Sequence, residues 1–208
     1  MNPIVRPALV AALVTMLASH FALADFDKGI AAYQANDMPL AYKEFRAAAD
    51  QGHADSQFNV ALMFEKGIGV AKDEKEAVVW YEKSAAQGNS AAQFNLGVMY
   101  ENGRGTAVDF AKAHEWYRKA SVQGDPLAIG NLGMLYLRGQ GVKENKTAGV
   151  ALLLLSVTKD PSPENNAKRN ITATRGLTPE LITAAQALST EMGNAKDLLV
   201  PLDAYLKK

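Results

Sequence analysis

The residues best spaced for nucleophilic chemistry are Ser156 and Lys159, which stand three positions apart in Ser-Val-Thr-Lys on a predicted helix. In serine acyl-transfer enzymes with this spacing, the lysine helps to deprotonate the serine hydroxyl. Those enzymes also carry Ser-Asp-Asn and Lys-Thr-Gly segments, and neither segment occurs in this chain. Ser156 also falls at a small-residue position of a repeated pattern, shared with Ser84 and Ala120. We therefore expect it to pack against a neighbouring helix and not to catalyse a reaction.

Other residue types that perform catalysis or bind metals are few. The chain has no cysteine, which excludes disulfides, thiolate metal sites and a thiol nucleophile. His53 and His114 have no acidic or histidine partner three or four residues later, so we expect solvated surface histidines, no metal and no cofactor. Lysine plus arginine and aspartate plus glutamate number 22 each. This balance gives no electrostatic reason to expect nucleic acid or an anionic membrane as the partner.

The amino-terminal segment has the layout of a targeting sequence. Arg6 is followed by an apolar run over Ala8–Leu17 and then by an Ala-x-Ala triplet. This predicts a secretory signal peptide over residues 1–24 that is cleaved at its end, and hence a periplasmic or secreted protein. The alternative is an uncleaved signal anchor, because Pro7–Ala24 is nearly long enough to cross a thinned bilayer. No later apolar stretch approaches 18 residues, so we expect a soluble mature chain without stable membrane insertion.

The remainder of the chain repeats at an interval of 36 residues. Ala54–Asn89 and Ser90–Asp125 align with fifteen identical positions, among them a Gln-Phe-Asn triplet, two Gly-x-Gly glycines and a Trp-Tyr pair. A third copy retains Asn131, Tyr136 and the Gly-x-Gly turn. A fixed period of this length is typical of helical repeat proteins, in which each copy is one supersecondary unit.

Each copy predicts two helices joined by a turn. Ser90–Asn102 has helical spacing and is ended by the Gly-x-Gly glycines. Asp109 is expected to cap the second helix, Phe110–Val122. Gly97 and Ala113 are small where the two helices must approach closely, and we expect the Trp-Tyr pair to pack onto the neighbouring hairpin. Both tryptophans of the chain, Trp80 and Trp116, are interpreted as packing residues.

The two ends of the repeat array differ from its middle. Upstream, Lys28–Ala35 and Pro39–Asp50 predict a hairpin with a shorter turn. Downstream, the helix Thr147–Thr158 is apolar all round and must be covered on more than one face. We expect the cover to be three further helices, at Glu164–Thr174, at Pro179 behind a Thr178 cap, and at Asp197–Leu206.

The pattern Ala-Gln-Phe-Asn-Leu-Gly-Val-Met-Tyr from Ala92 to Tyr100, with the Gly-x-Gly turn and the Trp-Tyr pair, resembles the Sel-one-like repeat (SLR) family, a relative of the tetratricopeptide repeat. The resemblance implies an all-α fold, a right-handed α-solenoid of about four antiparallel helix hairpins. It divides the chain into a tetratricopeptide-like hairpin at 25–52, three repeats at 53–160 and a C-terminal helical cap at 161–208. First helices would line a concave surface, and second helices would lie outside.

On this geometry the concave surface would be built from first-helix residues. They are Phe58, Asn59, Leu62, Glu65, Phe94, Asn95, Val98, Glu101, Asn131, Met134 and Arg138. In one interpretation the asparagines hold the backbone of a bound peptide and the phenylalanines anchor its side chains. In the other, the recurring asparagines tie neighbouring hairpins together.

The resemblance favours a non-enzymatic scaffold or adaptor of the bacterial cell envelope that binds a protein or peptide partner. A second hypothesis is a penicillin-binding or β-lactamase-like envelope hydrolase, as described for some cysteine-rich relatives. Those relatives carry a cysteine pair in each repeat, and this chain has none. A third hypothesis is a structural subunit of an envelope assembly, in which the end hairpins make the contacts.

Overall fold

The structure, a computed structural model, describes Leu23 and residues 25–207. The predicted signal peptide lies outside the described residues apart from Leu23. The described residues form helices and connecting turns only, which confirms the all-α prediction. The chain divides into two compact units with the boundary between Asn89 and Ser90.

Each unit is a series of helices that pack mainly on their neighbours in sequence. The helices of the first unit are α1 (25–34), α2 (Met38–Asp50), α3 (Ala54–Lys66) and α4 (Glu74–Ala86). Those of the second are α5 (Ser90–Asn102), α6 (Phe110–Val122), α7 (Pro126–Arg138), α8 (Lys146–Lys159), α9 (Ala167–Ala173), α10 (Pro179–Asn194) and α11 (Leu199–Leu206). The tandem helix hairpins predicted from the 36-residue period are therefore present.

Side-chain caps begin the second helices of the hairpins. The Asp109 carboxylate accepts a 2.9 Å hydrogen bond from the backbone N–H of Lys112, which confirms the predicted cap of α6. Asn145 stands at the same repeat position and accepts from the N–H of Ala148 at 2.9 Å. An amide oxygen therefore satisfies the free backbone donor as the carboxylate does.

The two helices of a hairpin approach closely where the sequence has a small residue. At Gly97 an added Cβ would lie only 2.6 Å from Cε1 of Tyr117. The ring of Phe94 lies 6.0 Å from the same tyrosine ring, measured between centroids. Tyr117 thus packs inside its own hairpin, and its hydroxyl also contacts Asn131 of the next hairpin. The close approach at Gly97 creates a slot that the ring fills.

The hairpin of α7 and α8 has leucine at two positions that are polar or aromatic in the hairpin before it. Leu137 stands at the repeat position of Glu101, and Leu153 at that of Tyr117. Gly149 replaces the alanine of the other repeats, and a Cβ there would lie 2.6 Å from Cγ of Leu137. The glycine is therefore required by the leucine that faces it.

Helix α8 is buried on all sides, as its apolar sequence predicts, and α9, α10 and α11 pack against it. Thr178 caps α10, with its hydroxyl accepting from the N–H of Leu181 at 3.2 Å. Helix α9 begins later than predicted because Asn165, just before it, bonds the Asp160 carbonyl and holds a turn. Helix α11 also begins two residues later than predicted, since the Asp197 carboxylate accepts from the N–H of Leu199 at 2.8 Å.

Candidate binding surface

The residues predicted to form a binding surface lie along α3, α5 and α7, the first helices of their hairpins. Within each helix they stand mostly three or four residues apart and so form a stripe along one side. Most members of the stripes are half-buried: Phe58, Asn59, Leu62, Phe94, Asn95, Val98, Glu101, Asn131 and Met134. Arg138 is exposed, and Glu65 is buried.

Glu65 therefore differs from its neighbours on α3. It is only 6% exposed. Its carboxylate accepts a 2.6 Å hydrogen bond from the hydroxyl of Tyr81 and forms a 2.9 Å ion pair with Lys66. A charged group at this depth needs such partners. Its role is to hold α3 and α4 together, and it offers little surface to a ligand.

Glu101 repeats this arrangement in the second unit and adds a link to the next hairpin. Its carboxylate accepts from the Tyr117 hydroxyl at 2.7 Å, and Asn131 Nδ2 donates to that same hydroxyl at 3.1 Å. Burial and the nearby carboxylate raise the pKa of Tyr117 far above its ordinary value, so the phenol stays protonated. Arg138 lies 4.0 Å from Glu101 at the exposed end of the group. For Asn131, the structure thus supports the interpretation in which the recurring asparagine ties neighbouring hairpins together.

The two phenylalanines keep part of each ring accessible. The ring centroids of Phe58 and Tyr81 are 5.9 Å apart, which closely matches the pair formed by Phe94 and Tyr117. Each phenylalanine is followed by an asparagine, which is also half-buried. Each of these two stripes therefore presents an apolar ring beside an amide that can both donate and accept.

Ser156 is fully buried, and its hydroxyl donates to the carbonyl of Pro126 at 2.6 Å. The Asn165 amide donates to that hydroxyl at 3.0 Å, while Lys159 is exposed. Ser156 thus joins α8 to the start of α7 and to the turn before α9. The predicted packing role of this serine is confirmed.

The prediction of solvated surface histidines is wrong for both residues. His53 caps α3, with its Nδ1 accepting from the N–H of Ser56 at 3.2 Å, and its ring lies 4.7 Å from that of Phe26. His114 is partly buried, and its Nε2 lies 3.2 Å from the hydroxyl of Tyr136. Burial and, to a lesser degree, the positive charge of Arg118 lower the pKa of His114 from 6.5 to about 4. The imidazole is therefore neutral at physiological pH.

Arg118, whose charge acts on His114, makes a contact that the sequence does not indicate. Arg118 forms a bidentate pair with Asp203 of α11, at 2.8 and 2.7 Å. The partners are 85 residues apart, and neither lies in a recognisable motif. This pair fastens the last helix to α6.

The two tryptophans differ in burial. Trp80 is buried as predicted, with Lys83 Nζ 3.6 Å and Arg46 Cζ 4.7 Å from the ring centroid. Trp116 is only half-buried and has Lys119 Nζ at 3.8 Å. These cation–π contacts place the lysine stems across the indole faces, where they cover apolar surface.

Two features are absent from the part of the chain that the structure describes. Among these residues, no group of three or more histidine, aspartate or glutamate side chains is arranged to hold a metal ion. None of the helices described here, over Leu23 and residues 25–207, is both long enough and apolar enough to cross a membrane.

Comparison with protein-family models gives a match to the Sel1 repeat at residues 54–89, 90–125 and 126–160. Comparison with curated proteins gives no significant match. Among solved structures, the chain is similar to a Sel1 repeat protein from Oxalobacter formigenes, with 29% identity and a TM-score of 0.61. That alignment covers 77% of this chain and 71% of the other.

A second similar structure is that of a protective antigen present in uropathogenic Escherichia coli strains, which displays an SLR fold. The identity is 29%, the TM-score 0.56, and the alignment covers 89% of this chain but 48% of the antigen. This chain therefore spans about half the length of that antigen. Both likenesses agree with the tandem helix hairpins described above.

Proposed function

Since the chain belongs to the Sel1 repeat family, whose members are generally protein-interaction scaffolds, we propose that it is a non-enzymatic adaptor that binds a protein or peptide. The binding residues would be those of the stripes, on α3 in the first unit and on α5 and α7 in the second. The observation that carries this proposal is the recurrence of a half-buried phenylalanine beside a half-buried asparagine on α3 and α5. Such pairs offer an apolar anchor and a bond to peptide backbone at the same place.

We further propose that the protein acts in the bacterial cell envelope, in the periplasm or outside the cell. This part of the proposal rests on the signal-peptide pattern over residues 1–24. The partner class follows from the even charge balance, which favours a protein or peptide over nucleic acid.

Capture of partners from an envelope extract tests the proposal. The bait would be the exported chain, compared with a variant that combines Phe58→Ala, Phe94→Ala and Arg138→Ala. We expect the variant to lose the captured proteins, because two apolar anchors and the exposed cation of the stripes are removed. The matched control combines Val79→Ala, Val122→Ala and Lys75→Ala, which change exposed residues of α4 and α6.

The control should capture the same proteins as the unmodified chain. Thermal unfolding of all three chains shows whether each is folded. If the stripe variant is folded and captures an unchanged set of proteins, the binding surface is not on the first helices. Contacts made by the end hairpins, as in a structural subunit, would then be the appropriate hypothesis.

A further inference from the structure

The first hairpin lacks the hydroxyl through which Tyr117 links its own hairpin to the next one. Phe45 stands at the repeat position of Tyr81 and Tyr117, and Asn59 at that of Asn131. In the second unit the Tyr117 hydroxyl accepts the hydrogen bond of the Asn131 amide. Phe45 has no oxygen to offer, and the side chain of Asn59 makes no hydrogen bond to any residue that the structure describes. The interpretation in which the recurring asparagine only ties neighbouring hairpins together is therefore not supported for Asn59.

A cavity of about 250 Å³ opens where this polar link is missing. It lies among α1, α2 and α3 and is lined by Ile30, Tyr33, Phe45, Asn59, Leu62 and Met63. Phe45 and Met63 are buried, whereas Tyr33 is 49% exposed. The lining is thus apolar apart from the Asn59 amide and the Tyr33 hydroxyl. The volume is below that of sites for drug-sized ligands, which begin at about 300 Å³, and suits a single side chain.

The charges of the first unit indicate what surrounds that side chain. Residues 25–89 contain 11 acidic and 7 basic side chains. Asp27 precedes Ile30 by one helical turn on α1, and Asp55 precedes Asn59 by one turn on α3. Both carboxylates are exposed, and that of Asp55 also accepts a 2.8 Å hydrogen bond from the Asn89 amide. The exposed cation Lys66, one turn beyond Leu62, is paired with Glu65. A segment seated on the cavity would therefore gain from a lysine or arginine close to its apolar residue.

We propose that this cavity is a binding subsite for one leucine-sized side chain of an extended partner segment that carries lysine or arginine beside it. The amide of Asn59 bonds the backbone of that segment, and Asp27 and Asp55 attract its cations. This inference rests on the proposed function and specifies the class of partner for the α3 face.

NMR titration of the ¹⁵N-labelled chain with short peptides tests the subsite. The probe is the capped peptide Lys-Ala-Leu-Ala-Lys, with Lys-Ala-Ala-Ala-Lys and Glu-Ala-Leu-Ala-Glu as controls. We expect saturable shifts of the backbone signals of Ile30, Asn59 and Leu62 with the first peptide only. Equal shifts with the alanine peptide, or none with the leucine peptide, would overturn the proposal. Larger signal shifts with Glu-Ala-Leu-Ala-Glu than with Lys-Ala-Leu-Ala-Lys would overturn the proposal that Asp27 and Asp55 attract cations of the partner.

Two substitutions test whether the peptide binds in the cavity. Phe45→Tyr adds the hydroxyl that Tyr81 and Tyr117 carry at this repeat position. The new hydroxyl should accept the hydrogen bond of the Asn59 amide and weaken peptide binding at least fivefold without lowering the melting temperature. Asn59→Ala removes the amide and should weaken binding similarly. Binding that is unchanged in both variants, with circular dichroism showing intact helices, would show that the peptide does not use the cavity.

The roles of the cavity and of the stripes can be tested separately. If Phe45→Tyr leaves the capture of envelope proteins intact while the Phe58, Phe94 and Arg138 variant abolishes it, the stripes bind a partner and the cavity takes no part. If a small hydrophobic dye such as anilinonaphthalene sulfonate competes for the cavity and no peptide binds, the occupant is a lipophilic small molecule and the peptide proposal is wrong.

Discussion

The hydroxyl of Tyr117 donates a 2.7 Å hydrogen bond to the carboxylate of Glu101, which lies on the opposite helix of the same hairpin. The next hairpin has Leu153 and Leu137 at the two corresponding positions. Both members of the pair are therefore exchanged together, from a polar pair to an apolar one. This agrees with the high cost of burying one member of a polar pair without the other.

Glu101→Leu alone should destabilise the protein by about 2–3 kcal/mol, because it removes the acceptor and crowds Ala113. Adding Ala113→Gly and Tyr117→Leu copies the arrangement of α7 and α8, in which Gly149 faces Leu137. The triple variant should regain part of the loss in urea unfolding at neutral pH. A triple variant that is no more stable than the single one would show that the three positions are not coupled.

Gly97→Ala should lower the free energy of unfolding by about 1–3 kcal/mol, since its Cβ would lie 2.6 Å from Cε1 of Tyr117. The matched control is Gly193→Ala near the end of α10, where the nearest atom would be 3.4 Å away. That change should instead stabilise by about 0.5–1 kcal/mol, because alanine favours helix more than glycine does. Denaturant unfolding of both variants measures the difference, and equal effects would contradict the packing assignment.

Stability should fall as the pH is lowered from 6.5 towards 4. The pKa of His114 is about 4 in the folded chain and 6.5 ordinarily, so the unfolded chain binds a proton in this range and the folded chain does not. The groups that face the ring are Tyr136, Arg118 and Asp203. Allowing for partial exposure of the ring, the loss should be about 1–2 kcal/mol.

Urea unfolding at pH 7 and pH 5 measures this loss, and His114→Gln isolates it from other titrating groups. The variant should show a smaller change between the two pH values than the unmodified chain. An identical change in both chains would place the pH dependence elsewhere.

Asp203→Asn should loosen α11 by weakening its bidentate bond to Arg118, with an expected cost of about 1 kcal/mol. Hydrogen exchange of the α11 backbone amides would report the loosening directly. Asp50→Asn serves as the control, because Asp50 pairs with Arg46 on one exposed helix face and should contribute only about 0.3 kcal/mol. Unchanged exchange in α11 would mean that its apolar contacts alone hold it.

The helices were predictable because their signals are local. The Asp109 cap, the Gly-x-Gly turns and the 36-residue period all act within one hairpin, so they can be recognised before any partner helix is known. The first turn of α9 was not predictable, since it depends on bonds from Asn165 to Ser156 and Asp160.

The candidate surface was also predictable only in part. Helical spacing identified the stripe positions, but spacing does not determine depth, and Glu65 is buried while Arg138 is exposed. The burial of His114 could not be read from its neighbours in sequence, because its ring packs against Tyr136 of the next hairpin.

The amino-acid sequence by itself determined the repeated hairpin, its caps and its turns, because glycine conformation and side-chain capping are properties of adjacent residues. Only the tertiary structure decided which polar groups found partners. Tyr117 joins Glu101 and Asn131, whereas the side chain of Asn59 shares a cavity with Phe45 and makes no hydrogen bond among the described residues. The reason is that a buried hydrogen bond depends on the atoms that another helix brings within 3 Å, and that helix is placed by packing.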